Sequence, residues 1–84
     1  MKAKDPNPSQ RVYREMTVAL IRERQDSEDV EAAFSESARF YRVLRQNPKF
    51  EDIVHELREA RKQQRPVRVL LDFPNGDVIE DVQP

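Results

Sequence analysis

The chain is 84 residues long, has no cysteine, and balances fifteen Lys and Arg against sixteen Asp and Glu for a formal net charge of −1. A chain of this size buries only roughly 60% of the surface its unfolded form exposes, which excludes a large enclosed active site, and the lack of thiols excludes a disulfide framework or a thiolate metal centre. No run approaches the ~20 apolar residues of a membrane span, and the opening MKAKDPNPSQ has no apolar leader core, so a soluble cytoplasmic protein is the expectation.

Residues 1–6 are polar and aperiodic and read as a tail, leaving one small domain over residues 7–84. Asn7-Pro8-Ser9-Gln10 carries helix-start chemistry, an Asn cap followed by proline in the first turn, and predicts a helix over about 8–24. On that helix Val12, Tyr13, Met16, Ala19 and Leu20 share one arc. Asp26 or Ser27 then caps a second helix over about 27–46, with Ser35 and Ser37 as space-fillers on it. Its apolar set, Val30, Ala33, Phe34, Ala38, Phe40, Tyr41 and Leu44, covers more than the ~100° stripe of a surface helix, which points to a central element. Asn47-Pro48 repeats the start signal and opens a third helix over 48–63, striped by Phe50, Ile53, Val54, Leu57 and Ala60.

Residues 67–82 read as a β-hairpin turning at Asn75-Gly76. That turn puts Phe73 opposite Val78, Leu71 opposite Glu80 and Val69 opposite Val82 on an apolar face meant for the core. Asp72 then faces Ile79, and Leu70 faces Asp81, on a mixed face. The expected fold class is α+β: a three-helix section followed by an antiparallel hairpin. Because a lone two-stranded ribbon is marginally stable, the hairpin must pack on the helices, pair with a second copy across a dimer or await a partner, and a homodimer is the expected state.

Charge is segregated along the chain. Residues 1–25 carry six bases and three acids, 26–38 five acids and no base, 39–68 nine bases and four acids, and 69–84 four acids and no base. Opposite blocks of a near-neutral chain are expected to attract one another within the fold or between copies. The function these features favour is a non-catalytic interaction or regulatory module that binds a protein partner, or itself, through the hairpin or a helical groove. Leu70, Asp72, Ile79 and Asp81 are the expected contacts, with Arg39, Arg42 and Arg45 as the electrostatic component. The alternative is a nucleic-acid-binding regulator using Arg39, Arg42, Arg45, Arg58, Arg61, Lys62, Arg65 and Arg68. An enzyme is not expected, because one histidine and few serines offer no nucleophile and base pair. His55 stands between Glu51 and Glu59 on one helix face, but that face is opposite the apolar stripe and supplies no further ligand, so no metal is expected. Gly76 is the one glycine and is committed to a turn, so no glycine-rich phosphate loop exists and no cofactor is expected.

Overall fold

The structure, a computed structural model, describes residues 12–84. Its elements in chain order are β1 (Arg14–Glu23), β2 (Val30–Phe34), β3 (Phe40–Val43), α1 (Phe50–Gln63), β4 (Pro66–Leu71) and β5 (Ile79–Gln83). The strands form one sheet in the order β3-β2-β1-β4-β5, with every neighbouring pair antiparallel. β1 serves two neighbours in succession. Its first half, Arg14–Thr17, pairs with β4, and its second half, Val18–Glu23, pairs with β2 across a register shift between Val18 and Leu20.

That shift bends β1 and rolls the sheet until its edges meet. The Arg42 N–H of β3 donates to the Asp77 carbonyl at 2.7 Å, and Arg42 bridges Val78 in parallel just before β5. A five-stranded barrel closed between β3 and β5, with a helix linking β3 to β4, has the connectivity of the OB-fold. The interior follows the strand alternation. Met16 and Val18 of β1, Val30, Ala32 and Phe34 of β2, Tyr41 and Val43 of β3, and Val67, Val69 and Leu71 of β4 all point inward and are buried. α1 adds Ile53, Val54, Leu57 and Ala60, and the Phe34 and Tyr41 rings meet edge to face at 5.5 Å.

The three-helix section is therefore overturned, and with it the description of the chain as helical or α+β: the described residues are mostly strand, with one helix of 14 residues. The predicted helix over 8–24 is β1, and its Asn7-Pro8 start lies outside the described residues. The shift after Val18 explains the misreading. The predicted arc mixed the two faces, since Met16 points inward while Val12, Ala19 and Leu20 are exposed, and the shift after Val18 broke the strict alternation that marks a strand. The predicted helix over 27–46 is two strands joined at Ser35–Arg39. Its broad apolar arc arose because it combined the inward-facing Val30, Phe34 and Tyr41 of two strands with Ala33 and Phe40, which pair on their outer face. Ser37 turns the chain, its N–H donating to the Phe34 carbonyl at 3.2 Å and its hydroxyl meeting the Tyr41 hydroxyl at 2.9 Å.

The third predicted helix is present as α1. Asn47 does not cap it: its Oδ1 accepts from the Lys49 N–H at 2.7 Å in a turn, and Lys49 is the cap residue. The hairpin is present with Val69 opposite Val82 and Leu70 opposite Asp81, but a second shift sets Leu71 opposite Ile79. The connection runs through residues 72–78 instead of a two-residue turn, Gly76 does not adopt positive φ, and Phe73 is 66% exposed rather than buried against Val78. The hairpin meets the need for a neighbour by pairing β4 with β1.

The β2–β3 turn fastens β1 at its bend. The Thr17 N–H donates to Glu36 Oε1 at 2.8 Å, and the Thr17 carbonyl accepts from the Ser35 N–H at 2.9 Å. The Thr17 hydrogen bond holds the Glu36 carboxyl below its usual range. A depressed folded-state pKa stabilises the fold above the ordinary Glu range of about 4.3 and ceases to do so as pH falls through the lowered value. Glu36→Gln is thus expected to melt at a lower temperature than the wild-type chain near neutral pH, with the gap closing on acidification in thermal melts across pH. Leu57→Ala, at a fully buried position, is expected to cost about 2–5 kcal/mol in denaturant titrations.

Candidate functional site

Strand register sets two rows of side chains side by side on the outer face of β1, β2 and β3. Leu20 pairs with Ala33 and Ala33 with Phe40, which makes one row apolar. Two residues along each strand, Arg22 pairs with Glu31 and Glu31 with Arg42, which makes the next row charged. The rows are joined by Arg22, whose guanidinium carbon sits 4.0 Å from the centre of the Phe40 ring.

Glu31 is the anchor of the charged row. Although it is on the outer face, it is 9% exposed, because Arg22 Nε and Nη2 approach Glu31 Oε1 at 2.8 and 2.6 Å and Arg24 Nη1 approaches Oε2 at 3.7 Å. A covered carboxylate with two guanidiniums holds both in place. The outer arginine pairs are looser: Arg24 reaches Asp26 at 3.4 Å and Arg42 reaches Asp77 at 3.8 Å, with all four side chains at least 45% exposed. Pairs of this kind contribute about 0–1 kcal/mol.

Loops from both sides frame the face. The β1–β2 loop brings Asp26, Ser27 and Asp29 beside Arg24 and Arg42 around a shallow depression. The β4–β5 loop is fixed against β3 by Arg39, whose Nη1 donates to the Asn75 and Gly76 carbonyls at 3.1 and 3.4 Å, and it exposes Phe73. This loop explains Gly76. A Cβ there would stand 2.1 Å from Asp72 Oδ1, which accepts the Phe73 N–H at 2.9 Å.

A second feature is a concavity of about 600 Å³ outside β4 and β5, lined by Tyr13, Leu44, Asn47, Lys49, Leu70, Val78 and Asp81 among others. Asp81 accepts from the Tyr13 hydroxyl at 2.7 Å and pairs with Lys49 at 3.5 Å.

The residues singled out from sequence scatter over this structure. Leu70 and Asp81 do meet, opposite each other and in the concavity. Asp72 belongs to the β4–β5 loop, and Ile79 is fully buried in the core. Arg39 and Arg42 flank the outer face, but Arg45 turns away to Glu28 at 3.8 Å and Glu51 at 3.7 Å and stacks on Phe50 at 4.8 Å. Of the wider basic set, Arg58 pairs with Glu23, Arg61 reaches the Ala19 carbonyl at 3.5 Å, Lys62 pairs with Glu59 at 3.6 Å and Arg65 with Glu56 at 2.7 Å. Arg68 is exposed on β4. These cations form no single stripe. Leu20, Arg22, Arg24, Glu31 and Phe40 were missed as site residues because a helical reading separates positions that strand pairing unites. His55 is exposed on α1, and among the described residues no group of three or more His, Cys, Asp or Glu stands close enough to hold a metal ion.

No protein-family model matches the chain, and no curated protein matches it at a significant level. Its fold is found in a larger protein. A crystal structure of pro-protein-glutaminase is similar with a TM-score of 0.72 and 23% identity over 92% of this chain. A mutant of the same protein is similar with a TM-score of 0.68 and 25% identity over 82% of this chain. This chain spans about a quarter of those chains, 26% and 23% of their lengths. Both are structures of an enzyme in its pro form, so the expectation of a non-enzyme draws no support from them. Among the described residues no helix is long and apolar enough to cross a membrane.

The packing of Gly76 on Asp72 yields a double-mutant test. Gly76→Ala is expected to cost about 1 kcal/mol by displacing the Asp72 carboxylate from the Phe73 N–H. In an Asp72→Ala background the same change is expected to cost distinctly less, as read by denaturant titration of all four proteins.

Proposed function

We propose that this chain is a polypeptide-binding module whose contact surface is the outer face of β1, β2 and β3, framed by the β1–β2 and β4–β5 loops. The observation that carries this reading is the juxtaposition of a partly exposed apolar row with a charged row whose central carboxylate is already neutralised. Leu20, 42% exposed, and Phe40 offer apolar area, and the arginines offer directional donors. In barrels of this connectivity the face of the second and third strands and the two flanking loops is the usual place for ligands, but the chemistry of the face must decide what binds.

Nucleic acid is the second reading, favoured by the stack of Arg22 on Phe40, which resembles a base-stacking platform. It ranks behind because Arg22, Arg24 and Arg42 each have a carboxylate partner, and phosphates would have to displace Glu31, Asp26 and Asp77. The other surface, the concavity with Leu70 and Asp81, holds Asp81 between Tyr13 and Lys49 and offers no comparable pair of rows.

A photo-crosslinking side chain placed at Leu20, compared with one at Glu59 on α1, separates these readings in the source cell. The expected result is a protein adduct of discrete mass at Leu20 that is missing at Glu59. Nuclease-sensitive adducts at Leu20, or equal yields at both positions, contradict the proposal.

A further inference from the structure

The chain holds three asparagines, Asn7, Asn47 and Asn75, and they differ in whether the backbone can attack their side-chain amides. The attacking atom is the nitrogen of the next residue, which must first give up its proton. Asn7 and Asn47 each precede proline, whose nitrogen has no proton to give. Asn75 precedes Gly76, whose N–H has no neighbouring Cβ to shield it. Asn75 is exposed in the β4–β5 loop, and its hydrogen bond with Arg39 uses the main-chain carbonyl. Among the described residues its side-chain amide therefore has no partner to hold it.

We infer that Asn75 is a site of spontaneous deamidation with water as the co-reactant, and that Arg39 restrains its rate. In the first step the Gly76 nitrogen passes its proton to solvent and bonds to Asn75 Cγ. The Cγ–Nδ2 bond breaks, ammonia leaves, and a cyclic imide closes. Water then adds to one imide carbonyl, and the bond from that carbon to the Gly76 nitrogen breaks. Opening at Cγ restores the original backbone path and leaves aspartate, whereas opening at the main-chain carbon leaves isoaspartate, with the backbone routed through the side chain. One amide becomes one carboxylate, and no electrons change hands.

The bonds that restrain the reaction belong to the atoms that react. Ring closure turns the Asn75–Gly76 peptide toward the side chain, so the Gly76 N–H must leave the Phe73 carbonyl, which it meets at 2.9 Å. The same rotation pulls the Asn75 and Gly76 carbonyls from Arg39 Nη1, which donates to them at 3.1 and 3.4 Å. These bonds lie at the surface of a loop, where local opening is easy, so the fold slows the reaction by about tenfold or less. In the isoaspartyl product the chain enters Gly76 from the side chain, and Gly76 loses its place against Phe73 and Arg39. The seam bond from the Arg42 N–H to the Asp77 carbonyl, one residue further on, loosens with it.

Incubation of the purified full chain at mildly alkaline pH, with peptide mapping by mass spectrometry and an isoaspartate-specific methyltransferase label, tests this assignment. The expected result is conversion of Asn75 to a mixture of aspartate and isoaspartate while Asn47 stays intact, at a rate within about tenfold of that in the urea-unfolded chain. Arg39→Ala, shown by its amide shift map to be folded, should convert faster than the wild-type chain. Asn75→Gln should show no conversion at residue 75 over the same period. In the separated isoaspartyl fraction the Gly76 and Arg42 amides should shift and exchange faster, with those of α1 unchanged. An Asn75 that survives in the folded chain long after the unfolded chain has converted overturns the site. An Arg39→Ala rate equal to or below that of the wild-type chain overturns the restraint by Arg39, and an isoaspartyl fraction with the wild-type shift map overturns the loosening of the seam.

Discussion

The structure depends on one strand doing two jobs. β1 pairs with β4 through Arg14–Thr17 and with β2 through Val18–Glu23, and the register shift between Val18 and Leu20 is where it changes sides. A small chain with no disulfides must enclose nearly all its apolar side chains in one core, and a flat five-stranded sheet cannot do so. The bend in β1 rolls the sheet until β3 and β5 meet at Arg42 and Val78, and α1 supplies Ile53, Val54, Leu57 and Ala60 to the enclosed interior. Thr17, at the bend, gives both its backbone groups to the β2–β3 turn, so the turn and the bend stabilise each other.

The same bend places the outer face. Because the strand changes register after Val18, Leu20 and Arg22 point outward, on the same side as Ala33 and Glu31 of β2, instead of continuing the inward phase of Met16 and Val18. Core and outer face are thus set by one irregularity. At the seam where β3 meets the hairpin, the hairpin's outer edge is partly occupied, since the Asp77 carbonyl accepts from Arg42 and the Glu80 carbonyl from Asn47 Nδ2 at 3.3 Å. That occupancy limits strand addition there and leaves side-chain recognition on the β1–β2–β3 face as the better-founded mode of contact.

How much of this was legible in the sequence depended on how local each signal was. α1 and β4 were readable because their signals lie within a few residues, Ile53, Val54, Leu57 and Ala60 on one side and Val67, Val69 and Leu71 on the other, whereas the shift between Leu70 and Leu71 hid the register beyond it. β1, β2 and β3 were not, since a register shift broke the alternation of β1 and two four- or five-residue strands presented as one wide helical arc. The candidate face suffered most. Arg22, Glu31 and Arg42 lie far apart along the chain and become neighbours only through strand pairing, and Phe40, read as core, is outside it under Arg22. Of the positions chosen from sequence, Arg42 belongs to that face and Arg39 borders it, whereas Ile79 lies in the core.

Residue-resolved hydrogen exchange along β1 tests the central claim most directly, because the claim is that one bent strand is paired at both ends. The account predicts slow amides at alternate residues on both sides of the Val18–Leu20 shift, opening with the same free energy as global unfolding. A continuous run of protected amides through residues 14–23, as in a helix, or protection confined to one half of the strand, would contradict it.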